Sequence, residues 1–318
     1  MDRNTVNWRG YWPAAPTPFA LDGSIDETAM REMLALYRAQ GVHGVLINGT
    51  TGEWFSQSVE ERKRVAEIGV QALAGSGITV VIGCNSYTPT ETITLAEHAR
   101  SIGADGALTT PPPYVHPSDD EIFSFYKTVT DAVDIPWMVY NWPRGTAVDM
   151  SVALLSRLAD LERVVAIKDS TGDEIKALEG CEEVMGRVRF FGRFIHRRGM
   201  AFLLSLGGDG NIDGGGVGAP FAVPFYDAVW AKNIPAAAVC SDQYTALVGS
   251  LVNNDYSAKF ASPTSQVKAA MSVLGQSGGT VRAPLLPLVD PDLLEKLAAA
   301  LEECGLRPNA VSGRGVSA

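Results

Sequence analysis

The chain has 318 residues, 46% hydrophobic and 19% charged, which is the balance of a globular protein with enough apolar side chain for a large core. Its formal net charge of −10 argues against nucleic acid or an anionic membrane as the main partner, but leaves room for small anionic substrates, because a site sets its own local potential. No stretch approaches the roughly 20 apolar residues of a membrane-spanning helix, and the opening Met1-Asp2-Arg3-Asn4-Thr5-Val6-Asn7-Trp8 has no hydrophobic signal core. Cys84, Cys181, Cys240 and Cys304 lie far apart without a CxxC pair, so free thiols in a reducing cytoplasm are expected rather than disulfides or structural zinc. The histidines, His43, His98, His116 and His196, are scattered, and none forms a metal-ligand pair at helical spacing.

Short apolar runs alternate with amphipathic stretches along the chain. Residues 11–16 read as a strand and 26–39 as a helix. Strands then follow at 42–47, 78–82, 106–109, 137–140, 164–167 and 188–191. Helices follow them at 59–73, 91–101, 119–132, 151–159, 173–185 and, more weakly, 195–206. A short strand near Asn211-Ile212 completes about eight β-α units. Such alternation implies a parallel sheet with helical crossovers, and eight units at this length predict a closed (β/α)8 TIM barrel over residues 1–233. An open doubly wound sheet is the alternative. From about Pro235 the pattern turns helical, at 236–251, 266–274 and 291–303, which predicts a C-terminal helical extension over 234–308. Residues 309–318 read as a flexible tail.

In a barrel of this type the site lies where strands meet the loops that follow them. Four polar clusters fall at such places: Asn48-Gly49-Thr50-Thr51-Gly52-Glu53, Tyr140-Asn141-Trp142-Pro143, Lys168-Asp169, and Gly207-Gly208-Asp209-Gly210-Asn211-Ile212. Lys168 ends the apolar run Val164-Val165-Ala166-Ile167. A lysine at the edge of an apolar interior is hard to charge, so its pKa falls, and a neutral amine can attack a ketone to form a Schiff base. Gly49 and Gly52 around Thr50 and Thr51 allow tight turns that aim N–H groups and hydroxyls at one anion, the seat a 2-oxo acid needs. Tyr140 can move a proton near the imine. Taken singly, a Gly-Thr-Thr-Gly run is a turn, a strand-end tyrosine is core and a Lys-Asp dipeptide is a solvated pair. Their register with successive strand ends favours the functional reading.

The motifs Gly49-Thr50-Thr51-Gly52-Glu53, Pro112-Pro113-Tyr114, Tyr140-Asn141-Trp142-Pro143, Ile167-Lys168-Asp169 and Gly207 to Ile212 resemble, in order and spacing, those of the dihydrodipicolinate synthase / N-acetylneuraminate lyase family. The late Arg282-Ala283-Pro284-Leu285-Leu286-Pro287 also looks like that family's C-terminal segment. The resemblance covers nearly the whole chain. It implies a class I lyase in which Lys168 forms an imine with a pyruvate-like 2-oxo acid and Tyr140 is the acid/base. It further implies that Thr50 links to the Tyr140 hydroxyl, Thr51 holds the substrate carboxylate and Ile212 contributes backbone near the imine. A homotetramer with no metal or organic cofactor is the implied assembly.

Two departures stand out. The synthases carry a second tyrosine after the one matched by Tyr114, and here that position is Val115, which cannot relay a proton across an interface. They also place an arginine two residues after the proline matched by Pro143, whereas here Arg144 follows it directly and Gly145 takes the arginine's place. Both changes count against the lysine-biosynthesis activity itself and point to a rebuilt entrance. Arg193, in Phe191-Gly192-Arg193-Phe194-Ile195-His196-Arg197-Arg198, lies where a loop can reach the substrate; its guanidinium suits a carboxylate or a polyhydroxylated tail, or else it starts a solvated helix. Asn85, Ser86 and Trp142 are candidates for shaping the pocket, and Cys84 reads as a small buried residue. Aldol addition and cleavage with pyruvate is the leading expectation. Dehydration or deamination of a 3-deoxy-2-oxo acid or related compound by the same imine is the alternative. A non-catalytic 2-oxo acid-binding barrel and a phosphate-binding barrel isomerase, built on the glycines between 207 and 216, are the rivals of other classes.

Overall fold

In the computed structural model, which describes residues 1–253, 255 and 257–307, eight parallel strands close into one barrel in the order β1 to β8. The strands are β1 (Gly10–Ala14), β2 (Gly44–Ile47), β3 (Thr79–Gly83), β4 (Gly106–Thr109), β5 (Trp137–Asn141), β6 (Val164–Asp169), β7 (Arg189–Phe191) and β8 (Gly210–Gly214). The helices are α1 (Glu27–Ala39), α2 (Val59–Leu73), α3 (Pro89–Ser101), α4 (Asp119–Ala132), α5 (Pro143–Thr146), α6 (Val152–Ala159), α7 (Glu174–Val184), α8 (Arg197–Ser205), α9 (Ala219–Trp230), α10 (Ile234–Leu251), α11 (Pro263–Val273) and α12 (Pro291–Glu303). No helix among the described residues is long and apolar enough to cross a membrane. The expected tail at 309–318 lies outside the described residues.

The helices begin where the local chemistry says they should. Ser58 and Ser118 each form a reciprocal capping box, with Glu61 and Glu121 respectively, so two orphan donors are satisfied at each start. Asp26, Thr88, Ser151 and Asp173 cap α1, α3, α6 and α7 through their side chains. Strand side chains alternate between two layers. One set, including Trp12, Leu46, Val81, Leu108, Met138 and Ala166, fills the barrel interior. The other set packs against the surrounding helices.

The N-terminal end of the barrel is filled by two tryptophans. Trp8 and Trp12 meet edge to face, with ring centroids 5.7 Å apart, and Trp12 lies 4.8 Å from Phe191. Glycines make room for them: a Cβ on Gly44 would lie 2.3 Å from Trp12, and one on Gly106 would lie 2.4 Å from Trp8. The floor is therefore solid, and the accessible site is at the opposite, C-terminal end.

The sequence reading missed α9. This helix is apolar on nearly every side and carries Pro220 and Pro224, so no 3.6-residue alternation marks it. It buries Phe221, Phe225 and Tyr226, and α10 packs on it. The expected helix 195–206 begins later, at Arg197, with His196 as its cap.

The C-terminal extension is tied to the barrel by a buried ion pair. Lys268 of α11 lies 2.5 Å from Glu53 of the loop after β2, and both are inaccessible to solvent. Lys268 also donates to the carbonyls of Thr17 and Thr280, and Glu53 accepts from the Arg282 backbone N–H. Burial pulls the Lys268 ammonium down to about 8 against the attraction of Glu53. Lys268→Met strands the Glu53 carboxylate in the interior, and a loss of about 3–5 kcal/mol is expected in urea unfolding. The double variant Glu53→Gln/Lys268→Met is expected to recover part of it. Equal stability of Lys268→Met and the parent would remove the pair from the account of how the extension is held.

Candidate active site

Strand β6 is buried along its whole length and ends in Lys168-Asp169. Alternation puts Lys168 on the same face as Ala166, toward the barrel interior. Its side chain is only 6% exposed. Burial pulls its ammonium from the ordinary lysine range down to about 7, opposed by the negative charge of Asp213. Tyr140 is its register partner on β5, and the Lys168 Nζ sits 4.0 Å from the centre of the Tyr140 ring. The Thr50 and Ser170 side chains lie near the Tyr140 hydroxyl and favour its ionised form. Burial pushes its phenol above the ordinary tyrosine range, so it stays protonated. Trp142 stacks against Tyr140 with ring centroids 6.1 Å apart.

The strand ends that carry these groups are braced from behind. Asn141 donates to Asp149 and Asp169 at 2.9 Å each and accepts from the Met150 N–H. Asp169 also accepts from the Thr171 N–H at 2.9 Å, which fixes the turn that presents Ser170. Burial holds the Asp169 carboxyl above the usual carboxylate range. Asp149 accepts from Thr171 and Lys176 as well.

The loop after β2 is held just as firmly. Asn48 enters it with φ of 57° and donates to the Arg62 carbonyl at 2.8 Å. The buried Arg62 donates to the carbonyls of Gly83 and Asn85. A Cβ on Gly83 would lie 2.3 Å from the Asn48 carbonyl oxygen, so only glycine lets this loop lie across β3. Thr50 thereby reaches Tyr140. Thr51 packs at the end of β8, where a Cβ on Gly214 would lie 3.3 Å from its hydroxyl. Gly49, just before them in the same turn, is buried.

Among the other residues singled out in the sequence, Asn85 is a brace. Its Oδ1 accepts from the Thr110 N–H at 3.0 Å, and the residue is 1% exposed. Cys84 is buried, and its thiol is pushed up to about 12, which makes it a poor nucleophile. Trp142, Arg144, Arg193 and Ile212 all border one cavity of about 600 Å³ that lies between the loops after β6, β7 and β8 and the helices α7, α10 and α11; Lys168, Tyr140, Thr50 and Thr51 are not in its wall. Ser170 and Asp213 border it too. Tyr114 and Val115 point to solvent, 86% and 66% exposed.

Sequence reasoning missed Ser170 and the cluster around Asp213. The Tyr11 and Tyr244 hydroxyls each donate to one Asp213 oxygen. Burial raises this carboxyl to about 6, against the two phenols and the Lys168 charge. The only sequence signal was an acid directly after Ile212 in a glycine-rich run.

A closed (β/α)8 barrel with a buried, near-neutral lysine at the end of its sixth strand and a tyrosine beside it defines a Schiff-base-forming lyase. The dihydrodipicolinate synthetase family model matches residues 7–304, and the chain belongs to that family. It is 31% identical over 289 residues to a DapA-like lyase of Rhizobium meliloti, covering 89% of this chain and 91% of that one. It is 32% identical over 304 residues to a 4-hydroxy-tetrahydrodipicolinate synthase of Gluconacetobacter diazotrophicus, covering 95% and 99%. Among solved structures, the Acinetobacter baumannii dihydrodipicolinate synthase in complex with pyruvate superposes with a TM-score of 0.83 at 27% identity, covering 94% of this chain and 99% of that one.

Proposed function

We propose that this lyase joins pyruvate to an aldehyde, or cleaves the product, through an imine on Lys168. The observation that carries the reading is the buried Lys168 amine, held near pH 7 above the Tyr140 ring. Its free amine attacks the ketone of the 2-oxo acid, and loss of water gives the iminium. The iminium draws electrons from the neighbouring methyl carbon, which loses a proton to become an enamine nucleophile. Thr51, with the Gly49 turn, receives the carboxylate. Tyr140, steadied by Thr50 and Ser170, moves the proton; the iminium charge beside it favours its ionised form and offsets the burial that keeps it neutral. The likeness to a synthase solved with pyruvate supports the choice of 2-oxo acid.

Incubation with pyruvate and borohydride is expected to add the reduced pyruvate mass at Lys168. The trapping rate is expected to rise with pH through about 7 and to level off above it, because the free amine forms there and not near 10.5. A midpoint near 10 would contradict the buried-amine reading. Absence of any adduct at Lys168 with pyruvate, 2-oxobutanoate and 2-oxopentanoate would remove the proposed chemistry.

A further inference from the structure

A buried acid/base has to trade its proton with solvent, and Tyr140 is poorly placed to do so by itself. It is 4% exposed, and it lies outside the wall of the cavity of about 600 Å³. Ser170 is in that wall and keeps part of its surface accessible.

The pairing of β5 and β6 brings this serine to Tyr140. Tyr140 faces Lys168 across the ladder, and Asn141 faces Asp169. The Ser170 N–H donates to the Asn141 carbonyl at 2.9 Å, which carries the ladder one residue past the end of β6. Side chains alternate along extended chain, so Ser170 returns to the side of Lys168 and Tyr140, while Asp169 turns to the other. Asp169 pins the turn from there: its Oδ1 accepts from the Asn141 amide and the Thr171 N–H, at 2.9 Å each. The Ser170 hydroxyl thus stands near the Tyr140 hydroxyl and, with Thr50, favours the phenolate. Thr50 is also partly accessible but is not in the cavity wall. Of the two hydroxyls, Ser170 is the one that joins Tyr140 to the cavity.

We propose that Ser170 is the proton exit of Tyr140, passing protons between the phenol and solvent in the cavity. The inference rests on the pyruvate imine proposed above. As the methyl C–H bond of the iminium breaks, its electron pair becomes the carbon–carbon double bond of the enamine. The C=N pair settles on nitrogen, and the proton joins the Tyr140 oxygen. That proton passes to the Ser170 oxygen while Ser170's own proton passes to a solvent molecule, and a solvent proton returns by the reverse path. Ser170 ends unchanged, and no other reactant is consumed. Without its hydroxyl, the proton on Tyr140 is held there and goes back to the carbon it left.

Exchange of the pyruvate methyl protons in deuterium oxide, followed by NMR, reads this path. Borohydride trapping reads the imine that precedes it. In Ser170→Ala the ratio of exchange rate to trapping rate is expected to fall by about tenfold or more. Ser170→Thr, which keeps a hydroxyl, is expected to hold most of the parent's ratio. Added imidazole, a small proton carrier, is expected to raise the ratio in Ser170→Ala and not in the parent, a response that mere displacement of Tyr140 would not give. A fall smaller than tenfold, or one that neither Ser170→Thr nor imidazole reverses, overturns the proposal. If Ser170→Ala traps no pyruvate, Ser170→Gly is read in its place. A parent that traps pyruvate but does not exchange its methyl protons removes this inference only, whereas a parent that fails to trap pyruvate removes the reaction it rests on as well.

Discussion

Replacing Lys168 with methionine is expected to abolish pyruvate trapping and bring turnover down to the uncatalysed level. No other amine is described in the site to take over the imine, and the change keeps an unbranched apolar stem one atom shorter. The same variant is expected to be more stable than the parent. The Lys168 pKa is lowered from 10.5 to about 7 on folding, so between those values the unfolded chain holds a proton that the folded chain does not. Stability contributed at this position therefore rises with pH across that window, and below pH 7 the folded state carries the full cost of an ammonium in an apolar place. That cost is of the order of a few kcal/mol. The rise in Tm for Lys168→Met is expected to be largest at pH 6 and to fade toward pH 10. Thermal melts at the two extremes check it. A variant that melts lower than the parent at pH 6 contradicts the picture of a lysine held at the expense of stability.

Tyr140→Phe is expected to lower turnover by about 10²–10⁴-fold, the usual range for removing a positioned acid/base. The ring that lies 4.0 Å from the Lys168 Nζ is retained, as is its stacking on Trp142, so the pocket shape should survive. What is lost is the Tyr140 hydroxyl, which lies near Thr50 and Ser170. The distinguishing measurement is the split between steps. Borohydride trapping of pyruvate should persist, slowed, while carbon–carbon bond formation and cleavage fall by the larger factor. Trapping and turnover reduced equally would place Tyr140 in imine formation alone. Full turnover in the variant would remove it from the chemistry.

Much of this was legible in the sequence, and the reasons are local. Lys168 could be found because an apolar run leads directly into it, and such a run has few meanings. Tyr140 and Thr50 could be placed near it because one lies at the end of β5 and the other in the loop that follows β2, and in a parallel barrel these places converge. The helix α9 could not be seen, because its exposed stripe is Pro220, Pro224, Asp227 and Trp230, which with a single charged residue sets no polar period. Asp213 was hidden for a different reason. Its partners are 202 residues away in β1 and 31 residues away in α10, so only the folded chain shows that two phenols meet there. Asn85 looked like a pocket residue from its position after β3, but its amide is occupied in holding the next loop. The cavity is the least legible feature. It is assembled from segments between Trp142 and Ala270, and no single stretch of sequence records that α8, α10 and α11 leave a chamber between them.

The paired tryptophans at the foot of the barrel have a consequence for traffic. With Trp8 and Trp12 closing one end, the barrel is a vessel with a single mouth, and whatever reaches Lys168 comes and goes among the loops that follow the strands.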